Sequence, residues 1–302
     1  MTHPLTSSIV ALVITGMTGG AVQRVTRVVY VSATDKSGSP ITDLQADDFE
    51  LKLGGKRLDV VSAGPAQAPL RIALIVSDAG TGAFQLGLAK FMQKLLGQAE
   101  FALISVIVQP EKVVDYSAES AVLRAGLLRL GARGPQPGAQ LMEAIQNATQ
   151  DVRRDGRRPA IVVVRVGSEA SSPIAGNDVR EQLRKSGAVL YVVSTLSAQR
   201  PSPSQARQGI STEQAQLHDD EVADSTLNLG QVLGDGSKES GGRHDHVIST
   251  TFVPVLERVA DELLHQYALA CALPDGAKPG DKLSVSSKRK GVTVRAPSRL
   301  PD

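Results

Sequence analysis

The residues best placed for chemistry form a short loop directly after an apolar run. The run Ile72–Val76 ends at Ser77, and the loop 77–82 then brings Asp78, Gly80, Thr81 and Gly82 together. Loops at the carboxyl ends of parallel strands are where open α/β sheets bind ligands. The loop lacks the third glycine of a dinucleotide fingerprint, because Gln85 stands there, and it has no Gly-Lys-Ser/Thr phosphate motif. It is therefore either a site or a tight strand-to-helix turn that needs its two glycines.

Histidines in the second half of the chain could in principle bind a metal. His244 and His246 flank an aspartate, and His218 precedes Asp219 and Asp220. No His-Glu-x-x-His motif or other fixed ligand spacing supports a metal site. We therefore predict that these residues lie in surface loops.

The remaining polar residues offer no recognisable catalytic arrangement. Four arginines, Arg153, Arg154, Arg157 and Arg158, crowd a predicted helix-to-strand turn, where they either meet an acidic partner or stay solvated. No Gly-x-Ser-x-Gly motif occurs, and the single cysteine, Cys271, lies in an apolar run. Acyl-transfer chemistry therefore lacks a nucleophile in a familiar setting. The sequence favours a binding protein over an enzyme.

Composition restricts the kind of partner. The 302 residues include 33 Lys and Arg against 31 Asp and Glu, so the net charge of +2 predicts no broad basic surface for nucleic acid. Aromatic residues make up 3% and tryptophan is absent, which argues against base-stacking platforms. The 41% hydrophobic content is ample for a buried core. We expect a globular protein with no nucleic-acid partner.

The first residues are typical of a secretory signal. Ser8–Met17 is mostly apolar, and the small residues Gly19, Gly20 and Ala21 follow it. We predict a signal peptide over residues 1–21, cleavage near Ala21 and a periplasmic or secreted mature protein; the alternative is a cytosolic N-terminus. The run is shorter than the roughly 20 apolar residues that cross a bilayer, so no membrane span is expected.

The spacing of apolar residues divides the rest of the chain into a central α/β domain between two β segments. Buried strands alternate with amphipathic helices over 67–266, which predicts a doubly wound, mostly parallel sheet. Glu111–Tyr116 follows a buried strand too closely for a crossover, so it is expected to be an antiparallel edge strand. The short strands of 22–66 and 267–302 are predicted to pack as one discontinuous antiparallel domain, since neither set is stable alone. Residues 197–242 form a polar excursion, expected to be partly helical.

Several stretches resemble the von Willebrand factor A-related proteins of Acidobacteria. They are the turn and strand from Val31 to Glu50, the Gly241-Gly242-Arg243 segment, and Asp261–Leu269 at the end of a predicted helix. The resemblance covers most of residues 24–297. It implies a von Willebrand factor A-type α/β fold and a role in binding.

The resemblance also implies where a metal would lie, because many A-type domains hold Mg²⁺ with Asp-x-Ser-x-Ser, a distant threonine and a distant aspartate. The corresponding residues here are Ser77, Ala79, Thr81, Ala139 and Val166, or Asp78 with two glycines if the register shifts by one. So few oxygen ligands would hold the ion poorly, and we expect no metal and no other cofactor at these degenerate positions.

A surface for an unidentified protein partner is still expected there. It would comprise the residues that surround the same loops, namely Asp78, Gly80, Thr81, Gly82, Gln140, Ser168 and Glu169. The alternatives are an α/β enzyme that binds a small molecule or nucleotide through the loop 77–82, and a purely structural component of the cell envelope.

Overall fold

The computed structural model describes residues 26–78, 81–130, 140–166, 172–195 and 223–301. Some predictions concern residues outside these ranges: the signal peptide, the His218 cluster, and the site positions Ala79, Gly80, Ala139, Ser168 and Glu169.

The centre of the protein is a six-stranded sheet with the strand order β10-β9-β8-β5-β6-β7. Its strands are β5 Leu70–Asp78, β6 Ala99–Val106, β7 Pro110–Ser117, β8 Arg158–Val166, β9 Val189–Thr195 and β10 Arg243–Val247. All neighbouring pairs are parallel except β6 and β7, whose three-residue connection is too short for a crossover. The predicted doubly wound sheet with one antiparallel edge strand is confirmed.

Helices cover both faces of this sheet. They are α1 Gln85–Leu95, α2 Ser120–Leu130, α3 Leu141–Asp151, α4 Gly176–Ser186, α5 at residues 223–239 and α6 Phe252–Leu264. One apolar core contains α1, α2 and α6, and a second contains α3, α4 and α5. The four inner strands β5, β6, β8 and β9 are mostly apolar because both of their faces are buried under helices. Within the predicted polar excursion, α5 is helical and contains a π-type turn at Val232–Gly236.

The two ends of the described chain form a separate β domain. Its strands are β1 Thr26–Thr34, β2 Phe49–Leu53, β3 Lys56–Leu58, β4 Val60–Pro65, β11 Tyr267–Ala272, β12 Leu283–Ser287 and β13 Thr293–Arg295. They form two antiparallel sheets with the orders β13-β1-β11-β4 and β12-β2-β3. Each sheet joins strands from both ends of the chain around one apolar core. The predicted discontinuous β domain is confirmed.

The segment around His244 is a strand, and the prediction of a surface loop there was wrong. Residues 243–247 form β10, which pairs with β9 from Arg243 opposite Tyr191 to Val247 opposite Thr195. The run Arg-His-Asp-His has neither the alternation nor the apolar residues that indicate a strand. It is held in the sheet by its neighbours rather than by its own propensity.

Two glycines allow β10 to enter the sheet. A Cβ on Gly242 would collide with the carbonyl oxygen of Leu190 on β9. Gly241 has a φ of +87°, and a Cβ there would lie 2.7 Å from the carbonyl carbon of Ala296. The Gly-Gly-Arg segment is therefore the point at which the sheet edge touches the C-terminal β segment.

An ionic cluster follows directly after these glycines. Arg243 binds the carboxylate of Glu262 on α6, and Arg295 on β13 binds its other oxygen. The hydroxyl of Tyr191 on β9 donates to Glu262 Oε2 at 3.2 Å. The cluster joins the central sheet, α6 and the β domain at one buried point.

Candidate functional site at the carboxyl-terminal edge of the sheet

The loop after β5 is held by the carboxylate of Asp78. Thr81 Oγ1 donates to Asp78 Oδ1 at 2.8 Å, and the Gly82 backbone N–H donates to Oδ2 at 2.7 Å. Gly82 has a φ of +63°, a conformation that favours glycine. The carbonyl oxygen of Gly82 then accepts the N–H of Gln85 at the start of α1, at 3.1 Å. These hydrogen bonds bring Asp78, Thr81 and Gly82 together between β5 and α1.

The residues at the metal-site positions do not fit a hard cation. Mg²⁺ requires about six oxygen ligands at about 2.0–2.1 Å. The side chain of Ser77 is fully buried, and Val166, which lies opposite Asp78 in the sheet register, is 6% exposed and apolar. Both oxygens of Asp78 already accept hydrogen bonds from its own loop. Among these residues, only the hydroxyl of Thr81 lies on an exposed residue.

Gln140 occupies the start of α3 at the same edge. Its backbone N–H donates to the carbonyl oxygen of Val108 at 2.8 Å, which ties α3 to the β6–β7 connection. The residue is partly exposed.

A row of polar residues crosses the same edge from strand to strand. Ser77 on β5 lies opposite Arg165 on β8, Arg165 opposite Ser194 on β9, and Ser194 opposite His246 on β10. Register partners in a parallel sheet project to the same face, so the four side chains share one side. Burial lowers the pKa of the Arg165 guanidinium. This row could not be predicted from the sequence, because it is formed by strand register and includes a residue of β10, whose sequence does not indicate a strand.

At the end of this row, Ser194 lies between two imidazoles. Its Oγ is 2.8 Å from His244 Nε2 and 3.2 Å from His246 Nδ1, and the two ring centroids are 4.2 Å apart. The hydroxyl has one proton, so it donates to one ring and accepts from the other. Burial and the charges of His246 and Arg165 lower the pKa of His244 to about 4, although the negative charge of Asp245 acts to raise it. His244 is therefore neutral near pH 7.

The described residues contain no cluster of side chains that could hold a metal ion. Across these ranges, no three His, Cys, Asp or Glu side chains converge as a metal site would require. None of the helices described here has the length and apolar character needed to cross a bilayer. Cys271 is buried, and burial raises the pKa of its thiol.

Comparison with known proteins gives similarity of fold only. No protein-family model matches the sequence, and no curated protein matches it. A conserved hypothetical protein, BatB from Bacteroides thetaiotaomicron, is 12% identical with a TM-score of 0.41 over 64% of this chain and 98% of its own. The von Willebrand factor domain of the type V pili tip protein Mfa5 from Porphyromonas gingivalis is 9% identical with a TM-score of 0.45, over 66% of this chain and 96% of its own.

The pilus adhesin SpaC from Lactobacillus rhamnosus GG is 9% identical with a TM-score of 0.45 over 90% of this chain. This chain spans only 42% of the adhesin's length. Such low identities and scores carry no conclusion about function. The strand order and the single antiparallel edge strand define the central domain as a doubly wound α/β domain.

Proposed function

We propose that the protein is an exported binding module whose carboxyl-terminal sheet edge contacts a protein partner without a metal ion. One observation carries the proposal: both oxygens of Asp78 are bound by Thr81 and Gly82. The carboxylate stabilises the shape of the loop instead of binding a cation. The contact surface would comprise Asp78, Gly80, Thr81, Gly82, Gln140, Ser168 and Glu169.

The charge of the edge supports metal-independent contact. Arg165 places a cationic group in the same row as Ser77 and so disfavours a divalent cation near it. Ser194, His244 and His246 add hydrogen-bonding groups without chelating carboxylates. A partner would meet the exposed Thr81 hydroxyl and His246 imidazole, which suit a polar protein surface.

The chemistry of the described side chains favours binding over catalysis. Ser194 and His244 are within hydrogen-bonding distance, but an imidazole with a pKa of about 4 is a weak general base at neutral pH. The buried thiol of Cys271, with its raised pKa, is a poor nucleophile. Export is inferred from residues 1–21 of the sequence alone.

The test is capture of a partner by the full-length protein from the envelope of its native host. Capture should persist in chelator and should be lost on Thr81→Arg, which adds bulk and charge to the edge. Ser284→Arg on the exposed face of β12 is the matched control and should leave capture unchanged. Melting curves establish that both variants fold. Capture that requires Mg²⁺, or that survives Thr81→Arg, would contradict the proposal.

A further inference from the structure

A second polar surface lies at the opposite end of the central sheet. There, the β domain meets the amino-terminal ends of β8 and β9, and a cleft of about 380 Å³ opens between them. Residues 27–30 of β1 form one wall, and residues 153–159, between α3 and β8, form the other. This cleft is separate from the edge assigned to partner contact above.

The cleft concentrates positive charge in a protein that is otherwise nearly balanced. Five arginines line it, Arg27, Arg153, Arg154, Arg157 and Arg158, against a single acidic residue, Asp155. Arg27, Arg154 and Arg157 make no ion pair with any residue in the described ranges. The chain as a whole has a net charge of only +2. The cleft therefore favours an anionic occupant.

The arginine at the base of the cleft is buried without a carboxylate. Arg158 is 3% exposed, and its guanidinium donates to the carbonyl oxygen of Leu263 and to Gln266 Oε1, each at 2.8 Å. It also donates to the carbonyl oxygen of Ala68 at 2.6 Å. These acceptors are neutral, whereas buried charges are usually paired with an opposite charge. Within the described residues, its positive charge is not neutralised by an acidic group.

The wall formed by β1 is an open strand edge. On one side β1 pairs with β11 over residues 26–31, but on the other side β13 pairs only with residues 32–34. Residues 27–30 all line the cleft, although the side chain of Val29 is buried in the β-domain core. Side chains alternate along a strand, so Val28 and Tyr30 project toward Arg158, which lies 5.9 Å from the Tyr30 ring, whereas Val29 lines the cleft through its backbone. An open edge of this kind is a template for an added strand.

We propose that this cleft binds an extended acidic peptide segment, which adds as a strand to the open edge of β1. The peptide would lie beside residues 26–31 of β1, on the same side of β1 as β13, which pairs with residues 32–34. Its carboxylates would pair with the arginines of the opposite wall. The six residues 26–31 span about 20 Å, enough for a six-residue strand. Alternate residues of a strand share a side, so acidic residues at every second position would all lie on the Val28 and Tyr30 side of β1, toward the arginines of 153–158.

The probe is a fluorescein-labelled peptide of three Glu-Val repeats, with binding to the full-length protein followed by fluorescence polarisation. Binding at low salt should weaken at least about tenfold in about 1 M salt, where the Debye length falls to about 3 Å. The double variant Arg154→Glu/Arg157→Glu, on the wall opposite β1, should also lose about tenfold or more in affinity. Arg154 is exposed and Arg157 is partly exposed, so the variant should fold. Lys56→Glu, an exposed charge reversal on β3, is the control and should bind like the parent.

Three further probes separate this proposal from simpler explanations. A peptide of Gln-Val repeats should bind at least about tenfold more weakly, because it lacks charge-assisted hydrogen bonds. The Glu-Val peptide with methylated backbone nitrogens should also bind more weakly, because it cannot donate to a strand ladder. Equal binding of either peptide overturns the proposal. Displacement of the probe by citrate or inorganic phosphate at micromolar concentration would also overturn it, in favour of a small-anion site.

Discussion

Glu262 on α6 forms an ion pair with Arg295 on β13, and this contact crosses from the central domain to the β domain. The Glu262 side chain is completely buried, and Arg243 binds its other oxygen. A buried carboxylate is stable only when its charge is neutralised and its oxygens are hydrogen-bonded. Glu262 therefore couples the stability of the two domains.

The first prediction concerns this carboxylate. Glu262→Gln should lower the free energy of unfolding by about 3 kcal/mol, because Arg243 and Arg295 would be left close together without their counter-charge. Urea denaturation measures the loss. The control is Glu257→Gln on the same helix, where the partly exposed carboxylate lies 3.9 Å from Lys90. That change should cost less than about 0.5 kcal/mol, and equal losses in the two variants would contradict the assigned role.

The second prediction compares two helical glycines. A Cβ on Gly126 of α2 would collide with Val114 and lie 2.9 Å from Leu103 Cδ1, whereas one on Gly230 of α5 would meet nothing within 4 Å. Gly126→Ala should therefore lower the free energy of unfolding by about 1–2 kcal/mol, despite the better helix propensity of alanine. Gly230→Ala should raise it by up to about 1 kcal/mol. Thermal melts of both variants would reveal the opposite signs, and stabilisation by Gly126→Ala would contradict the packing of α2.

The third prediction is that the stability of the protein varies with pH because of His244. Its pKa falls from 6.5 in the unfolded chain to about 4 in the folded protein. Between these values the unfolded state binds more protons, so this contribution to stability is complete above pH 6.5 and is lost as the pH falls toward 4. The stability difference between the parent and His244→Gln should change over that window and be constant above it. A difference that does not vary with pH would mean that the imidazole is not buried in the folded state.

The fourth prediction concerns the loop after β5. Asp78→Ala removes the acceptor for Thr81 and Gly82, so it should lower the free energy of unfolding by about 1 kcal/mol. The loss should be the same in chelator and in millimolar Mg²⁺ or Mn²⁺, and neither ion should change the melting temperature of the parent protein. An increase of several degrees with Mg²⁺ that Asp78→Ala abolishes would instead require a metal site.

The fifth prediction concerns export. The protein purified from its native host should lack residues 1–21 and begin near Val22, because small residues precede that position. Intact-mass spectrometry of envelope and cytosolic fractions measures this directly. An uncleaved chain found in the cytosol would mean that the signal-peptide prediction is wrong.

The amino-acid sequence alone was sufficient to predict most of the architecture. The apolar run Ile72–Val76 predicted a buried strand, and the amphipathic helices expected between the strands of 67–266 include α1. The short connection before Glu111 predicted the antiparallel edge strand. These features could be predicted because hydrophobic periodicity and connection length are local properties of a chain.

Tertiary structure decided the features that depend on residues distant in the chain. The polar segment 243–247 became a strand because β9 and the backbone contact at Gly242 hold it in place. The polar row from Ser77 to His246 exists only through register across four strands, and the arginines of 153–158 form one wall of a cleft only because β1 lies opposite them. Local patterning does not show which strands distant in the chain become neighbours, since that is set by the packing of the whole chain.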